Sequence, residues 1–165
     1  MKTLYIVRHA KSSWNENNVT DYDRSLNERG RKDIKTMGER LSKRKVVVDK
    51  VLGSASKRTS ATARGLNKFI GLDSDNIELH SELYHSGVSV MLHQVCRTND
   101  KYNHLMLVSH NPGVSEFCNY LTEVEFYFPT LAIAKVVFEA DSWREISKST
   151  GTVEWYDFPK NTLNS

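Results

Sequence analysis

The 165-residue chain is poor in cysteine and contains no long apolar run. Its two cysteines, Cys96 and Cys118, form no C-x-x-C pair and fit no metal-ligand spacing, so we expect neither a disulfide framework nor a metal site. Because no stretch of about 18 apolar residues is present, no membrane-spanning helix is expected. The apolar run at residues 4–7 is too short for a signal-peptide core, which predicts a cytoplasmic protein.

A strong excess of charge of either sign is also missing. The formal net charge is +3, which suits an anionic substrate but is too small to indicate nucleic-acid binding. Basic residues cluster at 29–45 and 57–64. In the first cluster they alternate with acids and flank Ile34, Met37 and Leu41 at helical spacing, which is typical of the solvated face of a helix.

Nothing in the composition divides the chain. It has no internal repeat, no low-complexity tract and no linker composition, and its length suits one sizeable core. We therefore expect a single domain over residues 1–165, in which the polar segment 160–165 forms a frayed tail.

Strand-like and helix-like segments alternate along the chain, and this alternation predicts a parallel sheet flanked by helices. The predicted strands are the apolar runs at residues 4–7, 50–53, 104–108 and 133–138. Beyond residue 125 the pattern changes to strands alone, ending at 153–158. The fold class is therefore α/β: a three-layer α/β/α sandwich with a mostly parallel central sheet and edge strands from the C-terminal part.

Helix-capping residues predict where four helices begin. Helices should follow Asn27, Ser56 and Ser86, each of which can cap a helix. In a fourth helix, we expect Asn111 to be the cap and Pro112 to be the first helical residue.

Cations and imidazoles follow three of the predicted strands, at the edge of a parallel sheet where ligands bind. Arg8 and His9 follow the first strand, residues 54–58 the second, and residues 109–111 the central strand. Arg8 and Arg58 can hold phosphoryl oxygens with paired donors. A neutral imidazole is a competent nucleophile, which predicts that role for His9.

Four motifs resemble those of the histidine phosphatase superfamily, which includes phosphoglycerate mutases and many acid phosphatases. Residues 8–15 (RHAKSSWN) resemble its RHG region, and 23–30 (DRSLNERG) its approach to the first helix. Residues 54–59 (SASKRT) resemble its second arginine motif, and 109–113 (SHNPG) its second histidine motif. The Ala after His9, the His-Asn-Pro-Gly sequence and the short chain are most similar to the SixA-type phosphohistidine phosphatases.

The resemblance implies a phosphatase that forms a covalent phosphohistidine intermediate on His9 and acts on phosphohistidine in proteins. It implies a phosphate pocket of Arg8, Arg58 and His110, with no metal and no cofactor. Asn15 is the implied auxiliary phosphate contact. The family commonly takes its general acid, a carboxylate, from the region after the third strand of the family fold, and Glu82 is the match for it in this sequence.

The remaining histidines match no motif and build no metal triad. His80, His93 and His104 are therefore expected to be structural or surface residues. His85 is the partial exception, because it lies near Glu82 in a loop that can border the pocket. Trp14 is placed to line the substrate entrance.

Two alternative functions stay open at this point. The first is a mutase or a phosphatase for small phosphorylated metabolites on the same pocket, although mutases of the superfamily are generally longer. Short connections predict an open pocket, which favours hydrolysis and admits either a phosphorylated protein or a small phosphoester. The second is a non-catalytic module that binds a phosphorylated partner through the same arginines. Neither nucleic acid nor a membrane is an expected partner.

Overall fold

A computed structural model describes residues 1–162 of the chain, and residues 163–165 of the expected tail lie outside the described part. The strands within residues 1–162 are β1 (Lys2–Arg8), β2 (Lys50–Ser54), β3 (Ile77–His80), β4 (His104–Ser109), β5 (Ile133–Phe138) and β6 (Gly151–Asp157). The α-helices are α1 (Glu28–Lys43), α2 (Lys57–Ile70), α3 (Val88–Cys96) and α4 (Gly113–Thr122). Short 3₁₀ turns lie at Asp21–Asp23, Ser74–Asn76, Ser81–Leu83 and Trp143–Glu145.

The strands of residues 1–162 form one six-stranded sheet in the order β3-β2-β4-β1-β5-β6. β1, β2, β3 and β4 pair in parallel, whereas β5 runs antiparallel to both of its neighbours, β1 and β6. The predicted, mostly parallel sheet is confirmed. The C-terminal strands extend one side of it, and β6 forms the edge there.

Helices cover both faces of the sheet because each central strand is apolar on both sides. On one face, α1 and α2 pack on Tyr5 and Val7 of β1 and on the facing side of β4. On the other, α3 and α4 pack on Leu4 and Ile6 of β1. The buried strand residues thus divide between two cores, and the three-layer α/β/α sandwich is confirmed.

The element boundaries agree with most of the sequence-based expectations. α1 begins after Asn27, whose side chain accepts from the Gly30 amide, and α2 begins after Ser56. α3 begins one residue later than expected, with Gly87 at the cap. The short β3 was not predicted, since four half-buried residues at a sheet edge give little apolar signal.

The predicted capping role of Asn111 is wrong. α4 begins at Gly113 with Pro112 at the cap position, after a cis Asn111–Pro112 peptide bond. The Asn111 side-chain amide donates to the Phe128 carbonyl at 2.8 Å, and its oxygen accepts from the backbone amide and the hydroxyl of Ser115 at 3.3 Å and 2.7 Å. Asn111 therefore ties the loop before β5 to the start of α4.

Two kinds of feature are absent from residues 1–162. No helix within residues 1–162 is long and apolar enough to cross a membrane. In the same part of the chain, no group of three or more His, Cys, Asp or Glu side chains is arranged to hold a metal ion.

The first turn of α1 supports the loop that follows β1. The backbone N–H of Asn27 donates to the Lys11 carbonyl at 3.1 Å, and the backbone N–H of Ser13 donates to the Ser25 carbonyl at 2.9 Å. A Cβ atom on Gly30 would lie 2.2 Å from the Lys11 carbonyl oxygen. Glycine is required at this position because helix and loop backbones come that close.

We predict that Gly30→Ala destabilises the protein by about 1–3 kcal/mol, because the loop backbone must move to accept the new methyl group. Urea denaturation measures this loss. Gly87→Ala is the control, since nothing lies within 4 Å of its added Cβ and only the helix-cap preference is lost. Equal losses for the two variants would contradict the role given to Gly30.

Candidate active site

Three neighbouring strands bring the predicted residues to one edge of the sheet. β1 and β4 are paired so that Arg8 lies beside Ser109, and His9 and His110 directly follow these two residues. β2 pairs with the other side of β4 and ends at Ser54. Parallel strands share this carboxyl edge, so residues distant in sequence meet there.

His9 is buried with one tautomer fixed by its surroundings. Its Nδ1 lies 2.7 Å from the Ala10 carbonyl oxygen, which only accepts hydrogen bonds, so Nδ1 carries the proton. Nε2 therefore bears the lone pair, 3.4 Å from Nε of Arg58. Burial, reinforced by Arg58 and opposed by the Ala10 hydrogen bond, lowers the pKa of His9 to about 3.

His110 is the second buried imidazole, and its ring centre lies 5.2 Å from that of His9. Its Nδ1 faces an Arg58 nitrogen at 3.4 Å, and its Nε2 lies 2.9 Å from the Ser54 hydroxyl. An arginine only donates, so Nδ1 accepts and Nε2 donates to Ser54 in this arrangement. Burial, reinforced by the nearby His9 and Arg58, lowers the pKa of His110 to about 2.

Arg58 lies between the two imidazoles from the first turn of α2, as predicted. Its side chain is only 2% exposed, and a buried cation requires polar partners. Asp21 supplies them, because both its backbone carbonyl and its carboxylate accept from the guanidinium. Arg58 is consequently held in one orientation, beside Nε2 of His9.

The Asp21 carboxylate is the site feature that the sequence analysis missed. One oxygen accepts from Arg58 at 3.1 Å, from the Tyr84 hydroxyl and from Nε2 of His85 at 3.1 Å; the other pairs with Arg24 at 3.0 Å. Burial alone would raise the pKa of this carboxyl, but the Tyr84, His85 and Arg58 hydrogen bonds hold it well below its usual range. Asp21 is therefore an anion seated among cations.

Arg8 approaches the site from the other side. One terminal nitrogen donates to the Phe128 carbonyl at 2.9 Å. Its buried Nε has no hydrogen-bond partner among residues 1–162. An unpartnered buried donor is costly in a folded protein, and an anionic oxygen would satisfy it.

These side chains line an open cavity of about 380 Å³ at the carboxyl edge of the sheet. Among the described lining residues, the cations are Arg8, Lys11, Arg24 and Arg58, the carboxylate is Asp21, and the imidazoles are His9, His85 and His110. Four cations against one carboxylate favour an anionic ligand. Trp14 also lines the cavity, as expected, and stacks on the Arg24 guanidinium at 3.6 Å.

The structure brings Arg8, His9, Arg58 and His110 together but leaves two predicted site residues outside the cavity lining. Glu82 has a 62% exposed side chain and accepts from the Gln94 amide at 3.1 Å, on the edge of the sheet. Asn15 is exposed, and its backbone amide bonds to the Ser13 hydroxyl. Neither Glu82 nor Asn15 contacts any of the other four predicted site residues. The structure therefore gives no support to the roles predicted for them.

One sequence signal could have located Asp21. It lies two residues before the motif at 23–30, in a turn where two acids precede Arg24. Its carboxylate reaches Tyr84 and His85 across more than sixty residues of sequence, which local patterns do not reveal.

An α/β sheet that presents a buried histidine among arginines at its carboxyl edge defines a phosphate-handling class of protein. Residues 4–86, just over half of the chain, match the model of the histidine phosphatase superfamily (branch 1), and the chain belongs to that superfamily. The resemblance stated from the motifs is confirmed, and the protein is a phosphatase-type hydrolase by its family.

Solved structures share the fold over almost the whole chain. A SixA protein from Nakamurella multipartitia aligns with a TM-score of 0.84 and 20% identity, covering 97% of each chain. The protein histidine phosphatase SixA, solved with tungstate, aligns at 0.81 and 25% identity, over 95% of this chain and 97% of its own. A mycobacterial glucosyl-3-phosphoglycerate phosphatase aligns at 0.68 and 14% identity, over 96% and 100%.

The lowered pKa values of His9 and His110 lead to a prediction about protonation. Both imidazoles should stay neutral from about pH 8 to about pH 5, because a lowered pKa delays protonation until the pH approaches it. Titration of the imidazole carbon-bound protons by NMR measures this directly, with His9→Ala and His110→Ala assigning the signals. A midpoint near the ordinary value of about 6.5 for either ring would contradict the burial argument.

Proposed function

We propose that this protein hydrolyses phosphohistidine in phosphorylated proteins through a covalent phosphoryl intermediate on Nε2 of His9. The observation that carries the proposal is a neutral imidazole with a fixed tautomer, whose lone pair lies beside Arg58 in a cavity of net positive charge. The likeness to a protein histidine phosphatase supports the choice of substrate.

Substrate binding uses the donors that flank His9. The orphaned Nε of Arg8 and the guanidinium of Arg58 hold the phosphoryl oxygens, while Arg24 and Lys11 add positive charge at the rim. Since phosphoryl transfer requires chiefly positioning and charge neutralisation, these groups supply most of what the reaction needs. No step of the proposed reaction requires a metal ion.

The reaction then proceeds in two displacements. His9 Nε2 attacks phosphorus, the P–N bond of the substrate breaks, and the leaving imidazole takes up a proton. In the second step water attacks the His9 phosphoryl group and gives a proton back to the group that protonated the leaving imidazole, the Nε2–P bond breaks, and inorganic phosphate leaves with the oxygen of that water. His9 is thereby restored with its Nδ1 proton still bonded to the Ala10 carbonyl.

We assign to His110 the stabilisation of the negative charge that develops on the phosphoryl oxygens. In the free protein its Nδ1 faces Arg58 without a proton, and Nε2 donates to the Ser54 hydroxyl. A hydroxyl can donate as well as accept, so Ser54 allows His110 to hold its proton on Nδ1 instead. From that tautomer His110 donates to a phosphoryl oxygen in the transition state.

The leaving-group proton comes from the side of the cavity where His85 lies. His85 lines the cavity, and its Nε2 is oriented by the Asp21 carboxylate at 3.1 Å. Glu82, the acid implied by the family resemblance, has its carboxylate bonded to Gln94 instead. We therefore assign proton donation to the imidazolium form of His85, whose Nε2–H is held by Asp21 and whose Nδ1–H passes to the leaving group.

A small-metabolite phosphatase is the second candidate function. The cavity is open, so a small phosphoester can reach His9 as easily as a protein side chain can. The fold is also shared with a glucosyl-3-phosphoglycerate phosphatase. Comparing kcat/KM for a phosphohistidine protein with values for sugar phosphates, nucleotides and phosphoserine decides between the two substrate classes.

The roles of His9 and Arg58 can be separated by substitution. We predict that His9→Ala lowers kcat by about 10³-fold or more while phosphate still binds, because the arginines remain. Arg58→Ala should weaken phosphate binding and lower kcat/KM by about 10²-fold or more. Steady-state kinetics and phosphate titration calorimetry measure both effects, and Arg144→Ala, exposed and outside the cavity, is the control. Normal turnover by His9→Ala would refute the assigned nucleophile.

The assignment of the proton donor makes a prediction that depends on the leaving group. His85→Gln should lower kcat for phosphoserine by about 10²-fold, since a serine alkoxide leaves only with a proton, and lower it far less for p-nitrophenyl phosphate. Glu82→Gln should leave both substrates unaffected. If Glu82→Gln shows the leaving-group dependence and His85→Gln does not, Glu82 is the acid.

A further inference from the structure

A second concave surface lies outside the candidate active site, between α1 and α2. This α1–α2 groove has a volume of about 580 Å³. Its apolar floor is formed by Leu26, Ile34, Ala61 and Phe69. Its rim carries Arg31, Lys35, Arg64 and Lys68, all exposed.

Within residues 1–162 the rim charges have no acidic partner. No aspartate or glutamate lines the groove, and none of the ion pairs among residues 1–162 includes these four cations. Arg31 donates to the backbone carbonyl of Leu26. An apolar surface bordered by unpaired cations fits a ligand that is apolar on one face and acidic on its flanks.

The helix α2 contributes residues both to the groove and to the active-site cavity. Arg58, Ala61, Gly65 and Lys68 are spaced by three, four and three residues, which places them on one stripe of the helix. At 1.5 Å per residue, Lys68 lies roughly 15 Å beyond Arg58 along the helix axis. A second connection runs through the loop before α1, where Arg24 lines the cavity and Leu26 lines the groove.

The two helices leave a channel suited to a third helix. α1 and α2 both begin at the carboxyl edge of the sheet and run alongside each other, with Ile34 against Gly65 and Gly38 against Phe69. Because Gly65 and Ala61 have small side chains, the floor of the groove lies below the arginine and lysine side chains of its rim. Helices recognise such surfaces with apolar residues at i, i+3, i+4 and i+7.

We propose that the α1–α2 groove docks an acidic amphipathic helix of the phosphoprotein substrate, so that the phosphohistidine carried by the same partner reaches His9. The proposal rests on the proposed function, because it identifies the partner by the surface beside the active site. The groove lowers KM for the protein substrate and leaves the chemical step unchanged. Small substrates reach His9 without contacting the groove.

The test compares two synthetic helical peptides that carry one phosphohistidine at the end. Both have the same leucine face, and the flanks are glutamate in one and lysine in the other. We expect kcat/KM to be about tenfold higher for the acidic peptide, and this preference to shrink as salt is added. The double variant Arg64→Glu/Lys68→Glu should lose the preference through KM, while its kcat/KM for p-nitrophenyl phosphate stays at the wild-type value.

The matched control is Lys32→Glu/Lys148→Glu, which makes the same change in net charge at exposed positions outside the groove. It should retain the preference for the acidic peptide. Equal kcat/KM for the two peptides, or equal loss of the preference in the control and groove variants, would overturn the proposal.

A binding measurement separates this proposal from the proposed function. Fluorescence anisotropy with the unphosphorylated acidic peptide measures binding without catalysis. Groove-dependent binding without phosphohistidine turnover would support the docking of an acidic helix and contradict phosphohistidine as the substrate. Conversely, turnover of phosphohistidine without groove-dependent binding would overturn the docking proposal alone. Preferential binding of phosphatidylserine vesicles over the acidic peptide would assign the groove to a membrane surface and overturn it as well.

Discussion

The hydrogen bond from His9 Nδ1 to the Ala10 carbonyl is the interaction on which the rest of the site depends. It spans only 2.7 Å within one short loop and places the lone pair of the ring on Nε2. Burial keeps that ring neutral, since a charged imidazole would have to be desolvated next to three arginines. The backbone that immediately follows β1 therefore prepares the proposed nucleophile before any substrate arrives.

The charged side chains around this neutral ring hold one another in place. Arg58 is buried and needs partners, which Asp21 supplies from a turn outside the sheet. The same carboxylate orients His85, accepts from the Tyr84 hydroxyl and pairs with Arg24, so one anion holds four separate cationic or proton-bearing groups in place. Even so, positive charge remains in excess along the cavity lining, and an incoming phosphoryl group meets a preorganised environment.

Local sequence patterns were sufficient for the features that depend on local physics. Apolar runs located β1, β2 and β4, Asn27 marked the start of α1, and the order of strands and helices gave the layers. Because parallel strands end at one edge, the positions of His9, Arg58 and His110 followed from the fold class. The position of a site residue was thus predictable wherever that residue follows the end of a strand.

The features that escaped prediction depend on long-range packing. Asp21 acts on Arg58 from 37 residues away, and the direction of the Glu82 side chain is decided by Gln94 on α3. Asn111 has good cap chemistry, yet its amide bonds to Phe128 because the loop before β5 packs there. In each case the contact joins parts of the chain that only the folded structure brings together.

The central claim is that Nε2 of His9 accepts the phosphoryl group, and the most direct measurement identifies the phosphorylated nitrogen. A phosphohistidine peptide is mixed with the protein, the reaction is quenched in alkali within milliseconds, and the trapped isomer is assigned by phosphorus–proton NMR. A phosphoryl group on Nε2 of His9 is the predicted result, since Nδ1 is occupied by its bond to Ala10. Phosphate on Nδ1, or turnover with no phosphorylated His9 at any time, would contradict the account.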